Sequence, residues 1–107
     1  VPIAKPVQDY ATRLTLATHP NAPQSHALTN KYVRFGASPR GTQALVLGGK
    51  VQALLHDRAH VSCEDIRAVY FHAMRHRILL NFEGEAEHID PDDILTEIVK
   101  DVAEPKE

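Results

Sequence analysis

Gly36-Ala37-Ser38-Pro39-Arg40-Gly41-Thr42 is the stretch that sets how this chain divides. Ser38 reads as a helix N-cap, because its hydroxyl can accept a first-turn backbone N–H. Pro39 takes the first helical position, where its fixed φ fits and its missing N–H costs nothing. Beyond it, Ala44, Leu47, Gly48, Val51, Leu54 and Leu55 form one apolar stripe, so the spacing predicts a helix over 39–55. Arg40 breaks the local rule. A cation in the first turn meets the positive end of the helix dipole, at a cost of about 0.3–1 kcal/mol when exposed. A guanidinium and a helix start with no anion beside them mark a candidate anion site, with phosphate the leading ligand.

Upstream, Val7, Tyr10, Ala11, Leu14 and Ala17 recur at helical spacing, and Pro6 suits a first turn, which predicts a helix over 6–19. Pro20 and Pro23 forbid its continuation, and a loop is expected to about residue 30. Lys31 to Phe35 reads as a short extended segment ended by Gly36.

Downstream, the Gly48-Gly49 pair costs about 1 kcal/mol per glycine relative to alanine in a helix interior. Its structural reading is close approach of another helix, and its functional reading is a hinge. Residues 56–60 read as a turn. Ser62 then caps a third helix, with Asp65 completing a capping box and Val61 and Ile66 placed as a hydrophobic staple. Ile66, Val69, Tyr70 and Ala73 make its buried stripe, and its end is expected near His76 or Arg77. Residues 78–82 are apolar and either continue the helix or pair with residues 31–35. A charged loop is expected over 83–88. Asp90 and Pro91 open a fourth helix lined by Ile94, Leu95, Ile98, Val99 and Val102, with Ile89 and Ile94 as a second staple. The expected fold is all-α, a small four-helix bundle with room for one short extended segment or strand pair.

The composition agrees with one small domain. The chain has 107 residues, of which 43% are hydrophobic and 24% charged, enough for a single core. A net charge of -2 gives no electrostatic footprint for nucleic acid. No apolar run approaches a membrane span and no secretory signal is visible, so neither membrane nor nucleic acid is an expected partner. A single cysteine excludes an internal disulfide and fits a reducing compartment, so a cytoplasmic location is expected.

The remaining candidate chemistry reads mostly as structure. The stretch from Gly36 superficially follows the phosphate-loop pattern G-x-x-x-x-G-K-[ST], but Thr42 directly follows Gly41, so the lysine is absent, and Pro39 removes a donor. His72 and His76 are four apart and could share a face, yet no glutamate follows His72 and no cysteine pair exists, so no metal site is expected. Arg75-His76-Arg77 is the densest basic patch, read as dipole complementation at a helix end or as a docking surface for an acidic neighbour or a phosphate. Asp90, Asp92 and Asp93 read as capping rather than calcium ligation. Cys63, in a first helical turn, has no evident catalytic partner.

Taken together, Tyr10-Ala11-Thr12-Arg13-Leu14, Gly36-Ala37-Ser38-Pro39-Arg40, Asp57-Arg58, Val61-Ser62-Cys63-Glu64-Asp65-Ile66 and Arg75-His76-Arg77-Ile78 resemble the C-terminal lid domain of MoxR-family AAA+ ATPases. Related magnesium-chelatase lids share much of the pattern. The resemblance runs from about Val7 to Val102. Thr42 and Gly48-Gly49 depart from it, standing where alanine is expected. It implies that Arg40 is the second sensor, reaching the γ-phosphate of ATP held in an α/β core, with Ser38 beside it in the cofactor-binding set. It further implies a parent ATPase that binds ATP and magnesium, assembles into a ring and remodels client or adaptor proteins in a chaperone-like role. The fragment alone is expected to hold neither cofactor and to catalyse nothing. In this reading residues 1–5 lead in from the ATPase core, 6–102 form the lid and 103–107 are a frayed tail. The expected partners are its own core and the neighbouring ring subunits. The rival is a helical nucleic-acid-binding or protein-interaction module, in which helices 39–55 and 62–76 mimic a helix-turn-helix. Against it stand the acidic net charge and Lys50 as the one basic residue in the second helix after Arg40.

Overall fold

The structure, a computed structural model, describes residues 2–105. Val1, Lys106 and Glu107, the first residue of the expected lead-in and the last two of the expected tail, lie outside the described residues. The order of elements is α1 (Lys5–Leu16), α2 (Ala27–Tyr32), β1 (Val33–Phe35), α3 (Pro39–Leu55), α4 (Cys63–Met74), β2 (Leu79–Leu80), α5 (Phe82–Ala86) and α6 (Pro91–Asp101). The all-α bundle expected from the sequence is formed by α1, α3, α4 and α6, with two further short helices and one small antiparallel sheet. Tyr10, Leu14, Leu45, Ile66, Tyr70, Met74, Ile94, Leu95 and Ile98 fill its core.

Capping explains most helix starts. Ser62 accepts the Asp65 backbone N–H, and the Asp65 carboxylate accepts the Ser62 N–H at 2.9 Å, so the capping box is complete. The same carboxylate is fully buried and takes an ion pair from Arg58. Asp90 caps α6 by accepting the Asp92 N–H at 2.9 Å. Asp92 then receives a two-pronged bond from Arg75, Nε at 2.9 Å and a terminal nitrogen at 2.8 Å. That fork joins the end of α4 to the start of α6 and uses the first residue of the Arg75-His76-Arg77 patch inside the fold.

Two helices stand where loops were expected. Residues 27–32 form α2 instead of a loop running into a strand, so the extended segment begins at Val33 rather than Lys31. The α2 cap is His26, whose Nδ1 accepts the Leu28 N–H at 3.1 Å while Nε2 pairs with Asp101 at 2.6 Å. Histidine is outside the usual capping set, so the start carried no signal. Residues 82–86 form α5 instead of a charged loop, capped by Asn81, which accepts the Gly84 N–H at 2.8 Å. Two expected helix ends also move. α1 stops at Leu16, and residues to His19 continue as a tighter turn in which the Thr18 and His19 N–H groups reach back three residues. α4 stops at Met74, before His76.

The buried side of α3 is not the expected stripe. Gly41, Leu45, Gly49 and Ala53 face the core, while Leu47, Val51, Leu54 and Leu55 are 66%, 50%, 65% and 74% exposed. The cause is the small residues. α3 packs most extensively against α4, and a Cβ on Gly49 would sit 2.8 Å from Ile66 and 3.1 Å from Val61, the two staple residues. A Cβ on Gly48 would sit 3.2 Å from Val69. The Gly48-Gly49 pair is therefore a surface for close helix approach, and the larger apolar side chains are turned outward.

Residues 33–35 and 79–80 do pair, antiparallel, with Val33 opposite Leu80 and Phe35 opposite Leu79 across an irregularity. At the N-terminal side, Ile3 bridges to Val61, whose N–H donates to the Pro2 carbonyl at 3.1 Å.

Candidate functional site

Arg40 lies in the first turn of α3, at the end of a loop, residues 36–38, that leaves β1. The loop is seated on the turn after α1. Ala37 is fully buried; its N–H donates to the Thr18 hydroxyl at 3.0 Å, and its carbonyl accepts the Nε2–H of His19. Gly36 is required by that seating: a Cβ there would lie 2.6 Å from the Thr18 carbonyl carbon and 2.8 Å from the His19 nitrogen. Nothing in the spacing announces the part of Thr18 and His19, because they are 19 and 18 residues away from Ala37.

Ser38 caps the helix as expected, accepting the Arg40 N–H at 3.3 Å, while the Gly41 N–H returns to the Ser38 carbonyl at 2.7 Å. These bonds consume donors that an anion would otherwise use, and Pro39 has none to give. The helix start is thus not a backbone cradle. What it presents is the Arg40 side chain, exposed, in a first turn without acidic residues and with no ion-pair partner among the described residues. Gly41 faces the end of α4: a Cβ there would lie 3.0 Å from the Met74 methyl carbon and 3.7 Å from Arg77 Cδ. Arg77 therefore lays its aliphatic stem beside the first turn of α3, which adds a second cation to that end of the molecule.

The other singled-out residues are not gathered here. Arg75 is committed to Asp92. His72 and His76 are exposed, and among the described residues no group of three His, Cys, Asp or Glu side chains converges as a metal site. Cys63 is the first residue of α4, half-buried, far along the chain from Arg40. No helix of the described residues is long and apolar enough to cross a membrane. An open groove lined by Gln8, Thr42, Gln43, Val46, Leu47 and Lys50 runs along α3 just after Arg40, with more apolar than basic character.

α3 is capped at its start and packs through glycines on α4, which also carries α6, while α1 packs against both α3 and α4. The family model described as "AAA lid domain" matches residues 25–98, and the chain belongs to that family. Its relatives are of MoxR type. It is 29% identical over 98 residues to "Chaperone MoxR1" of Mycobacterium tuberculosis, covering 92% of this chain and 26% of that protein. It is 42% identical over 65 residues to "Protein MoxR" of Methylorubrum extorquens, covering 59% of this chain and 19% of that one. The crystal structure of a candidate ATPase from Cytophaga hutchinsonii superposes with a TM-score of 0.92 at 33% identity, over 99% of this chain and 32% of that chain. The chain therefore spans about a quarter or less of the curated relatives it matches.

Proposed function

We propose that this chain acts as the lid of a longer MoxR-type ATPase and that Arg40 is the second-sensor residue of that enzyme. One observation carries the reading: a guanidinium stands at the positive end of a capped helix with no carboxylate paired to it among the described residues. An arginine so placed becomes favourable when an anion arrives. The parent binds ATP with magnesium, and the terminal phosphate is the anion whose charge Arg40 meets; a fixed cation of this kind stabilises charge that spreads over the phosphoryl oxygens during transfer. Ser38 serves by fixing the first turn, its hydroxyl accepting the Arg40 N–H.

The partners follow from the same reading. The outward residues Leu47, Val51, Leu54 and Leu55 give α3 an exposed apolar face, the kind of surface that marks a docking site. This face docks on the lid's own ATPase core or on the next subunit of a ring. A chaperone-like role toward client proteins rests on the name of the mycobacterial relative.

The test is Arg40→Ala in the full-length ATPase. Turnover is expected to fall on the order of 10²-fold, the usual loss on removing one transition-state donor. The melting temperature is expected to stay level, because the side chain is exposed. Unchanged turnover would sink the sensor assignment.

A further inference from the structure

We infer that His19 is a positioning residue for Arg40: together with Thr18 it locks the loop that opens α3 and so fixes where the guanidinium stands. The inference rests on the sensor reading of Arg40 given above. Both backbone groups of Ala37 are taken by two consecutive residues of the turn after α1. The Ala37 N–H donates to the Thr18 hydroxyl at 3.0 Å, and that hydroxyl donates onward to the Thr15 carbonyl at 2.6 Å. The Ala37 carbonyl accepts from His19 Nε2. Thr18, Thr15 and Ala37 are buried, so water does not compete for the first two of these bonds.

Between Ala37 and Arg40 little freedom is left. Ser38 is held by its cap bonds, and Pro39 has a fixed φ. Gly36, on the other side, is pressed against the Thr18 carbonyl. The first turn of α3 therefore goes where Ala37 goes, and Ala37 is set by α1. α1 in turn is pinned to α4 by the Tyr70 hydroxyl, which donates to the Leu14 carbonyl at 2.9 Å. A carbonyl can only accept, so the Nε2 of His19 carries the proton. That donor exists in the neutral Nε2–H tautomer and in the imidazolium alike, so the clamp does not depend on the charge of the ring.

The experiment is a double-mutant cycle in the full-length ATPase, measuring kcat and KM for ATP hydrolysis. His19→Ala is expected to lower kcat about tenfold with KM changed less than about twofold, as misplacement of a contact made in the transition state does. His19→Gln, whose amide nitrogen reaches a position like that of Nε2, is expected to restore most of the rate. The double variant with Arg40→Ala is expected to be no slower than Arg40→Ala alone. If Arg40→Ala is slow and His19→Ala runs at the wild-type rate, the positioning role is overturned while the sensor reading stands. If the two losses multiply, His19 acts apart from Arg40 and the inference fails. If Arg40→Ala itself runs at the wild-type rate, the sensor reading has failed and the inference falls with it. His19→Leu, which fills the ring's volume without a donor, gives the same comparison if His19→Ala is unfolded by circular dichroism.

Discussion

The Tyr70 hydroxyl in α4 donates to the Leu14 carbonyl in α1 at 2.9 Å, and that bond completes the end of α1. The last carbonyls of a helix lack intrahelical partners and need others. Here Arg13 receives the Ala17 N–H, Thr15 receives the Thr18 N–H and Leu16 receives the His19 N–H. Leu14 is served by Tyr70. Burial pushes the Tyr70 hydroxyl far above the usual tyrosine range, with Tyr10 adding to the shift, so it remains a donor at any ordinary pH. Tyr70→Phe keeps the ring and removes the bond. It should lower unfolding free energy by about 1–2 kcal/mol, the cost of a lost bond plus a buried carbonyl left unserved. Urea denaturation of the two forms measures this, and equal midpoints would show that water serves Leu14 as well.

What the sequence disclosed and what it hid have different physical causes. Ser38, Ser62 and Asp90 were legible as caps, because a cap bond closes within three residues and its donors are chemically typical. α2 and α5 were hidden. Each is under two turns long, too short to show a period, and α2 has a histidine cap. The face of α3 differs from the expected stripe because periodicity weighs large apolar residues, whereas α3 meets α4 through Gly41, Gly48 and Gly49. At the site, the conflict posed by Arg40 is visible in the sequence itself. Its support by Thr18, His19 and Gly36 is not, because those bonds close only when α1 and the 36–38 loop meet in space.

Acid should weaken the fold through Asp65. Burial by itself would raise this carboxyl, but bonds from the Ser62 backbone, the Arg58 guanidinium and the Ser62 hydroxyl outweigh it and hold the group below its ordinary 3.8. A carboxyl lowered in the folded state stabilises the protein above its unfolded value and loses that contribution as pH falls through the folded value. Stability should therefore be level at neutral pH and drop below about pH 4. Asp65→Asn should remove that acid slope and cost about 3 kcal/mol at pH 7, the low edge for breaking a buried pair. The low edge applies because Arg58 is 37% exposed and can return to water. Denaturation midpoints at pH 7 and pH 3 for both proteins check it. An unchanged acid slope in the variant would move the effect to other carboxylates.

Leu45 and Leu47 are two residues apart on α3 and have opposite surroundings, the first fully buried and the second 66% exposed. Leu45→Ala opens a hole against the core and should cost about 2–5 kcal/mol. Leu47→Ala removes a side chain already in water and should change stability by less than about 0.5 kcal/mol. The pair separates the two possible faces of α3, because the stripe expected from spacing would make Leu47 the costly position. Leu54→Ser and Leu55→Ser should be as mild as Leu47→Ala in the lid and, by lowering exposed apolar surface, should raise its solubility. In the full-length ATPase the same substitutions should slow turnover if the outward face docks on the core or the next subunit as proposed. Mild effects on folding joined to normal turnover would leave the face without a role in the enzyme. A loss of folding equal to that of Leu45→Ala would instead place Leu47 in the core and overturn the arrangement of α3 on α4.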